Sequence, residues 1–101
     1  MIKLEWSPRA ERELAQLREY IALDSPHFAL LFVERIVLSV ERLSVFPRSG
    51  RPTPEWGYND RIREVIVQGY RVIYRIIDET HIQIVTVVHG SRNLRIEPPI
   101  L

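Results

Sequence analysis

The chain of 101 residues has no cysteine. That excludes a disulfide scaffold and any thiolate metal site, and it fits a reducing compartment. Its three histidines, His27, His81 and His89, show no ligand spacing, so neither a metal nor a cofactor is expected. No apolar run approaches the roughly 18 residues of a membrane span, and the opening "MIKLEWSPRAERE" has no apolar signal-peptide core. The expectation is a soluble cytoplasmic protein without membrane contact. Lysine is nearly missing too: of the 14 cations, Lys3 is the one lysine and the rest are arginine. Arginine's planar fork grips phosphates and carboxylates in two places at once.

What is present reads as one domain over residues 1–101, large enough to bury roughly two thirds of its unfolded surface in a single core. "IKLEW" alternates like a short strand. Ser7 and Pro8 then supply an N-cap oxygen and a first-turn proline. Ala10, Leu14, Leu17 and Ile21 recur at helical spacing behind them, with charged residues on the other side. Ser25 and Pro26 repeat the device and start a second helix, expected to run to about Phe46 and to stop at "FPRSGRP". Phe28, Phe32, Ile36, Val40 and Leu43 form one stripe on it; Leu31, Val33, Val37 and Leu38 widen that stripe beyond a single face. Residues 47–60 read as a loop, in which Trp56 and Tyr58 either stack on a base or pin the loop to the domain.

From Arg61 the period becomes two. "RIREVIV" and "YRVIYRIID" flank Gln68 and Gly69, a two-residue hairpin turn, and "HIQIVTVVH" follows. That turn would pair Val67 with Tyr70 and Ile62 with Arg75. It would set Ile62, Glu64, Ile66, Arg71, Ile73 and Arg75 on one face; a slip of one residue would exchange the faces. Arg61, Arg63, Arg71 and Arg75 stand against the single acid Glu64 across residues 61–75, a local basic patch. Glu64 is near enough to neutralise one member of it, and Arg75 is the member weighed for a surface ion pair. The resulting order β-α-α-β-β-β predicts an α+β fold, a helical hairpin on a mainly antiparallel sheet with one face left available.

This order, together with "WSPRAERELAQL", "FPRSGRP", "GYRVIYRI" and the closing "VVHGSRNL", resembles the RelE/ParE superfamily of toxins from type II toxin–antitoxin modules, over residues 4–94. The resemblance implies a toxin silenced by a cognate antitoxin in a hetero-oligomer. Two activities share that fold. RelE-like members cut mRNA on the ribosome; for them Arg71, His89 and Arg92 would be the catalytic set, with Arg71 on phosphate and His89 as acid or base. ParE-like members poison DNA gyrase, for which Arg61, Arg63, Arg71, Arg75 and Arg92 are the candidate target-binding residues. The tail "NLRIEPPIL" has no tyrosine after Arg92 and the basic pair has no lysine, so the chain looks closer to the ParE branch. Leu31, Val33, Val37 and Leu38 are the candidate antitoxin-binding residues. A small nucleic-acid-binding module without toxin activity is the alternative of another class, and a net charge of +1 is low for it.

Overall fold

The two Ser-Pro pairs cap helices as their chemistry requires. The computed structural model describes residues 2–57 and 59–91. After strand β1 (Lys3–Trp6) comes helix α1 (Pro8–Ala22), whose N-cap Ser7 accepts the N–H of Ala10 on its Oγ at 3.0 Å. Helix α2 (Pro26–Glu41) is capped in the same way, Ser25 Oγ accepting the N–H of Phe28 at 3.1 Å. α2 ends at Glu41, earlier than the period suggests, so it is about 24 Å long. A 3-10 turn, Arg42–Ser44, follows, and the N–H groups of Val45 and Phe46 both donate to the Arg42 carbonyl. Pro47 prevents any helical continuation beyond that turn, because the residue before a proline, here Phe46, is pushed out of the helical region.

Strands β2 (Arg51–Pro52), β3 (Ile62–Val67), β4 (Tyr70–Asp78) and β5 (His81–His89) complete a sheet of order β1-β5-β4-β3-β2. β1 lies parallel to β5, and the other neighbours are antiparallel. The expected α+β architecture is present. β2 and the parallel pairing are additions: the alternation of "IKLEW" marks a strand, but nothing local says that its partner lies 78 residues on, at His81.

β3 and β4 pair Val67 with Tyr70 and Ile62 with Arg75. The turn takes φ of 52° at Gln68 and 81° at Gly69, the left-handed pair that suits a two-residue hairpin. Gln68 is the unfavourable member, since a side chain at positive φ costs energy that asparagine largely avoids. Gln68→Asn is therefore expected to stabilise the fold by up to about 1 kcal/mol, raising Tm by about 4 °C in thermal unfolding.

The register sends Val67, Val72, Tyr74 and Ile76, with Ile82, Ile84 and Val87 of β5, toward the helices. There they meet Ala10, Phe32, Ile36, Val40 and Leu43 in the core. Phe28, assigned to the same stripe, is 44% exposed.

A bulge in β5 shifts the pairing from Thr86 opposite Ile73 to Ile84 opposite Tyr74, leaving Val85 unpaired. α1 absorbs it. Ser7 Oγ donates to the Val85 carbonyl at 2.8 Å, while Glu13 Oε1 accepts from Thr86 Oγ at 2.6 Å and from the Val87 N–H at 3.1 Å. β1 has already ended at this point, so these side chains stand in for the missing strand.

Candidate functional site

The sheet face away from the helices is open only in part: Lys3, Glu5 and Ile66 on it are exposed. A turn over Pro54–Trp56 lies across it, closed by Gly57 at φ 65°. Trp56 packs on Ile62, Ile73 and Val88, a second small apolar cluster. Trp56 thus pins the loop, one of its two expected uses; Tyr58 lies outside the described residues. The available face expected from the sequence is corrected accordingly.

Glu55, beside Trp56 in this turn, reaches Arg71. The Arg71 guanidinium donates from Nη1 and Nη2 to the two Glu55 oxygens, the second at 2.7 Å, and from Nε to Glu64 Oε1 at 2.7 Å. Arg51 of β2 donates to the other Glu64 oxygen, also at 2.7 Å. Arg71 is 5% exposed and Glu64 1%, so the cluster is almost wholly out of water. Hydrogen bonds to Glu55, and after them those to Glu64, raise the Arg71 pKa against the opposing pull of burial. The neutralising role expected of Glu64 is real, but it serves Arg71 and Arg51. An Arg71 held by two carboxylates has its fork filled in this conformation.

Arg75 shares the face of Arg71, opposite Ile62 on one side and Gln83 on the other. Arg61 and Arg63 belong to the other face, because Arg63 alternates with Glu64 and sits opposite Tyr74. The four arginines therefore do not make one patch. Arg63 is a tie: it donates to the carbonyls of Gly50 at 2.6 Å, Arg48 at 3.2 Å and Asp60 at 2.9 Å, and pairs with the Asp60 carboxylate. Arg61 donates to the Ile77 carbonyl at 3.2 Å. Tyr74 joins the same knot, its hydroxyl accepting from the Gly50 N–H at 3.0 Å and donating to the Pro47 carbonyl at 2.7 Å. Gly50 must be glycine here, since a Cβ would lie 2.6 Å from both the Glu64 carbonyl and the Tyr74 hydroxyl.

Arg63 first, and then Arg48, pull the Asp60 pKa below its ordinary 3.8. A depressed carboxylate stabilises the fold at neutral pH, and that contribution disappears as pH falls from about 4 through the lowered value. Asp60→Asn is expected to flatten this part of the acid limb, seen as a smaller drop in urea midpoint between pH 7 and pH 3.

His89 ends β5 opposite Tyr70, the rings edge to face at 5.5 Å, with Tyr70 edge to face on Phe32 at 5.2 Å. Its Nδ1 accepts the Ser91 N–H at 3.2 Å and lies 2.7 Å from Ser91 Oγ. It shares the helix-side face with Tyr70, whereas Arg71 points to the other side. The sheet stands between the two, so they are not brought together around one phosphate. Arg92 lies outside the described residues.

The antitoxin candidates divide as well. Val33 and Val37 line a cleft with Trp6, Leu14 and Ala15 on the helical hairpin. Leu38 lines a separate groove with Val45 and Ile66 beside β3. Leu31 is half-buried. The side chains that sequence reasoning missed are Glu55, Arg51 and Glu13; a carboxylate in a loop carries no local sign of the strand it will reach. Among the described residues no group of three metal-ligating side chains occurs, and no helix is long and apolar enough to cross a membrane.

Comparison with known proteins agrees with this architecture. A family model described as ParE toxin of type II toxin–antitoxin system, parDE, matches residues 4–94. The chain is 35% identical over 92 residues to a protein named "Putative toxin Y4kP" of Sinorhizobium fredii, covering 89% of this chain and 90% of that one. A solved chain from the chromosomal ParDE TA system of P. aeruginosa superposes with a TM-score of 0.72 at 24% identity, over 90% of this chain and 98% of that one.

Proposed function

Because the chain belongs to the ParE toxin family of type II toxin–antitoxin systems, we propose that it arrests growth from the cytoplasm by poisoning DNA gyrase, and that a cognate antitoxin silences it in a hetero-oligomer. One observation carries the choice of target. His89 and Arg71 lie on opposite faces of the sheet, and the Arg71 fork is filled by Glu55 and Glu64. A ribonuclease needs its acid or base and its phosphate-binding arginine within hydrogen-bond reach of one phosphodiester. Poisoning a topoisomerase needs a docking surface and no such pair.

In this reading the arginines of the sheet and its rim, Arg61, Arg63, Arg71, Arg75 and Arg92, belong to target contact and its support. Leu31, Val33, Val37 and Leu38 belong to the antitoxin surface. The test adds purified protein to a gyrase supercoiling reaction and, separately, to programmed ribosomes. Loss of supercoiling with intact mRNA is the expected result. Codon-positioned mRNA cuts with gyrase unaffected would instead select the RelE-like endoribonuclease. Binding to nucleic acid without either effect, and without growth arrest on induction, would select the plain binding module.

A further inference from the structure

β1 closes one side of the sheet, and among the described residues nothing pairs with its outer edge. Lys3 donates its N–H to the Thr80 carbonyl at 2.8 Å, and Ser7 donates to that of Ile84 at 2.9 Å. In a parallel ladder the residues bonded to the neighbour alternate with residues whose N–H and C=O both face away. Lys3, Glu5 and Ser7 are bonded to β5, so Ile2, Leu4 and Trp6 present their peptide groups outward. Pro8 has no N–H and opens α1, so the edge ends at Trp6.

The side chains alternate with the same period. Ile2, Leu4 and Trp6 lie half-buried against the core on the helix side, while Lys3 and Glu5 are exposed on the other face. Charge on an edge strand ordinarily keeps other edges away. Here the charges are of opposite sign and two residues apart, which makes the edge complementary to itself. When two copies pair antiparallel with Leu4 opposite Leu4, Lys3 of each stands opposite Glu5 of the other, and Ile2 stands opposite Trp6.

In that register every outward peptide group from Ile2 to Trp6 finds a partner. Leu4 exchanges both bonds with Leu4, and Ile2 with Trp6. Lys3 and Glu5 fall on the non-hydrogen-bonded pairs, where facing side chains come closest. A slip of two residues sets Lys3 against Lys3 or Glu5 against Glu5, and a slip of one sets a charge opposite Leu4. Glu5 Oε1 already meets His81 Nε2 at 2.8 Å; a carboxylate has a second oxygen, which the lysine of the other copy can take.

We propose that two copies of this chain associate through β1, with Leu4 on the two-fold axis, into one sheet that runs through both. The axis stands perpendicular to that sheet. Both helical hairpins therefore lie on one side, and both clusters of Arg71 with Glu55 lie on the other. The assembly goes beyond the target reading above and holds for either target.

Sedimentation equilibrium of the purified chain alone, over a range of concentrations, tests it. A pair of such short strands belongs with small, transient interfaces, so a monomer–dimer equilibrium with Kd of about 10–100 µM is expected. Lys3→Glu and Glu5→Lys, each alone, set like charges opposite one another twice and should raise Kd by about tenfold or more. Mixing these two variants should restore association, and so should both substitutions in one chain, because each then regains opposite charges. His81→Ala removes the contact of Glu5 within its own chain and should leave Kd within about twofold, an ion pair of an exposed side chain contributing little. In amide exchange the Leu4 N–H should be fast in the monomer and slow as the dimer forms. A chain that stays monomeric up to about 1 mM, well above the Kd of transient complexes, would overturn the proposal. So would a dimer indifferent to Lys3→Glu, two variants that fail to associate when mixed, or a Leu4 N–H already slow in the monomer, the chain then covering its own edge.

Discussion

Arg71→Ala is expected to lower the unfolding free energy by about 3–5 kcal/mol, the cost of breaking a buried ion pair from one side. The Arg71 and Glu64 side chains are 6% and 0% exposed and the Glu55 side chain 12%, so the carboxylates cannot simply rehydrate in place. Without Arg71, Glu64 keeps Arg51 at 2.7 Å, but Glu55 is left beside it as a like charge. With a urea m-value of about 2 kcal/mol/M for a domain of this size, the midpoint should fall by about 2 M. That is a large part of the whole, since domains are stable by about 5–15 kcal/mol.

Replacing the pair with apolar residues, Arg71→Met with Glu64→Leu, should recover most of the loss, because the desolvation cost disappears along with the attraction. An unchanged midpoint for Arg71→Ala would mean that the cluster is not formed in solution. The result also governs how toxicity assays are read: a growth defect relieved by Arg71→Ala follows from the destabilised fold and is not evidence of catalysis by this arginine.

Phe32→Ala is expected to cost a similar amount, about 3–5 kcal/mol, through the cavity it leaves. Phe32 is 1% exposed at the middle of the α2 face, and its ring meets Tyr70 edge to face at 5.2 Å. Tyr70 in turn supports His89, so the loss should also loosen the end of β5. Phe28→Ala is the informative contrast. The two phenylalanines lie one helical turn apart and share a stripe in the sequence, yet Phe28 is 44% exposed. Its removal should cost no more than about 1 kcal/mol, the range of partly exposed sites. Equal losses at the two positions, measured as urea midpoints, would contradict the burial described here.

The comparison of Phe28 with Phe32 marks where the sequence stops being sufficient. Ser7 and Ser25 announced their helices because an N-cap acts within three residues of itself. Gln68 and Gly69 announced the hairpin, and with it the pairing of Val67 with Tyr70, because a two-residue turn leaves the flanking strands one register. Alternation then placed Arg71 and Glu64 on a common face. Each of these rests on backbone geometry spanning a handful of positions, which the amino-acid order specifies directly.

The candidate site was legible only as a set of residue types. That Arg71 is filled by Glu55 depends on a turn 16 residues away folding back over the sheet. That Glu13 caps β5 depends on a helix meeting a strand 73 residues later. That Arg61 and Arg63 part from Arg71 depends on which face the helices choose to cover. The sequence by itself determined the helices, the hairpin and its register, since those follow from short-range torsions and hydrogen bonds. The tertiary structure alone decided which arginines are tied into the fold and which apolar side chains of α2 are covered. Those outcomes are set when distant segments compete for the same buried space, and no local pattern records the winner.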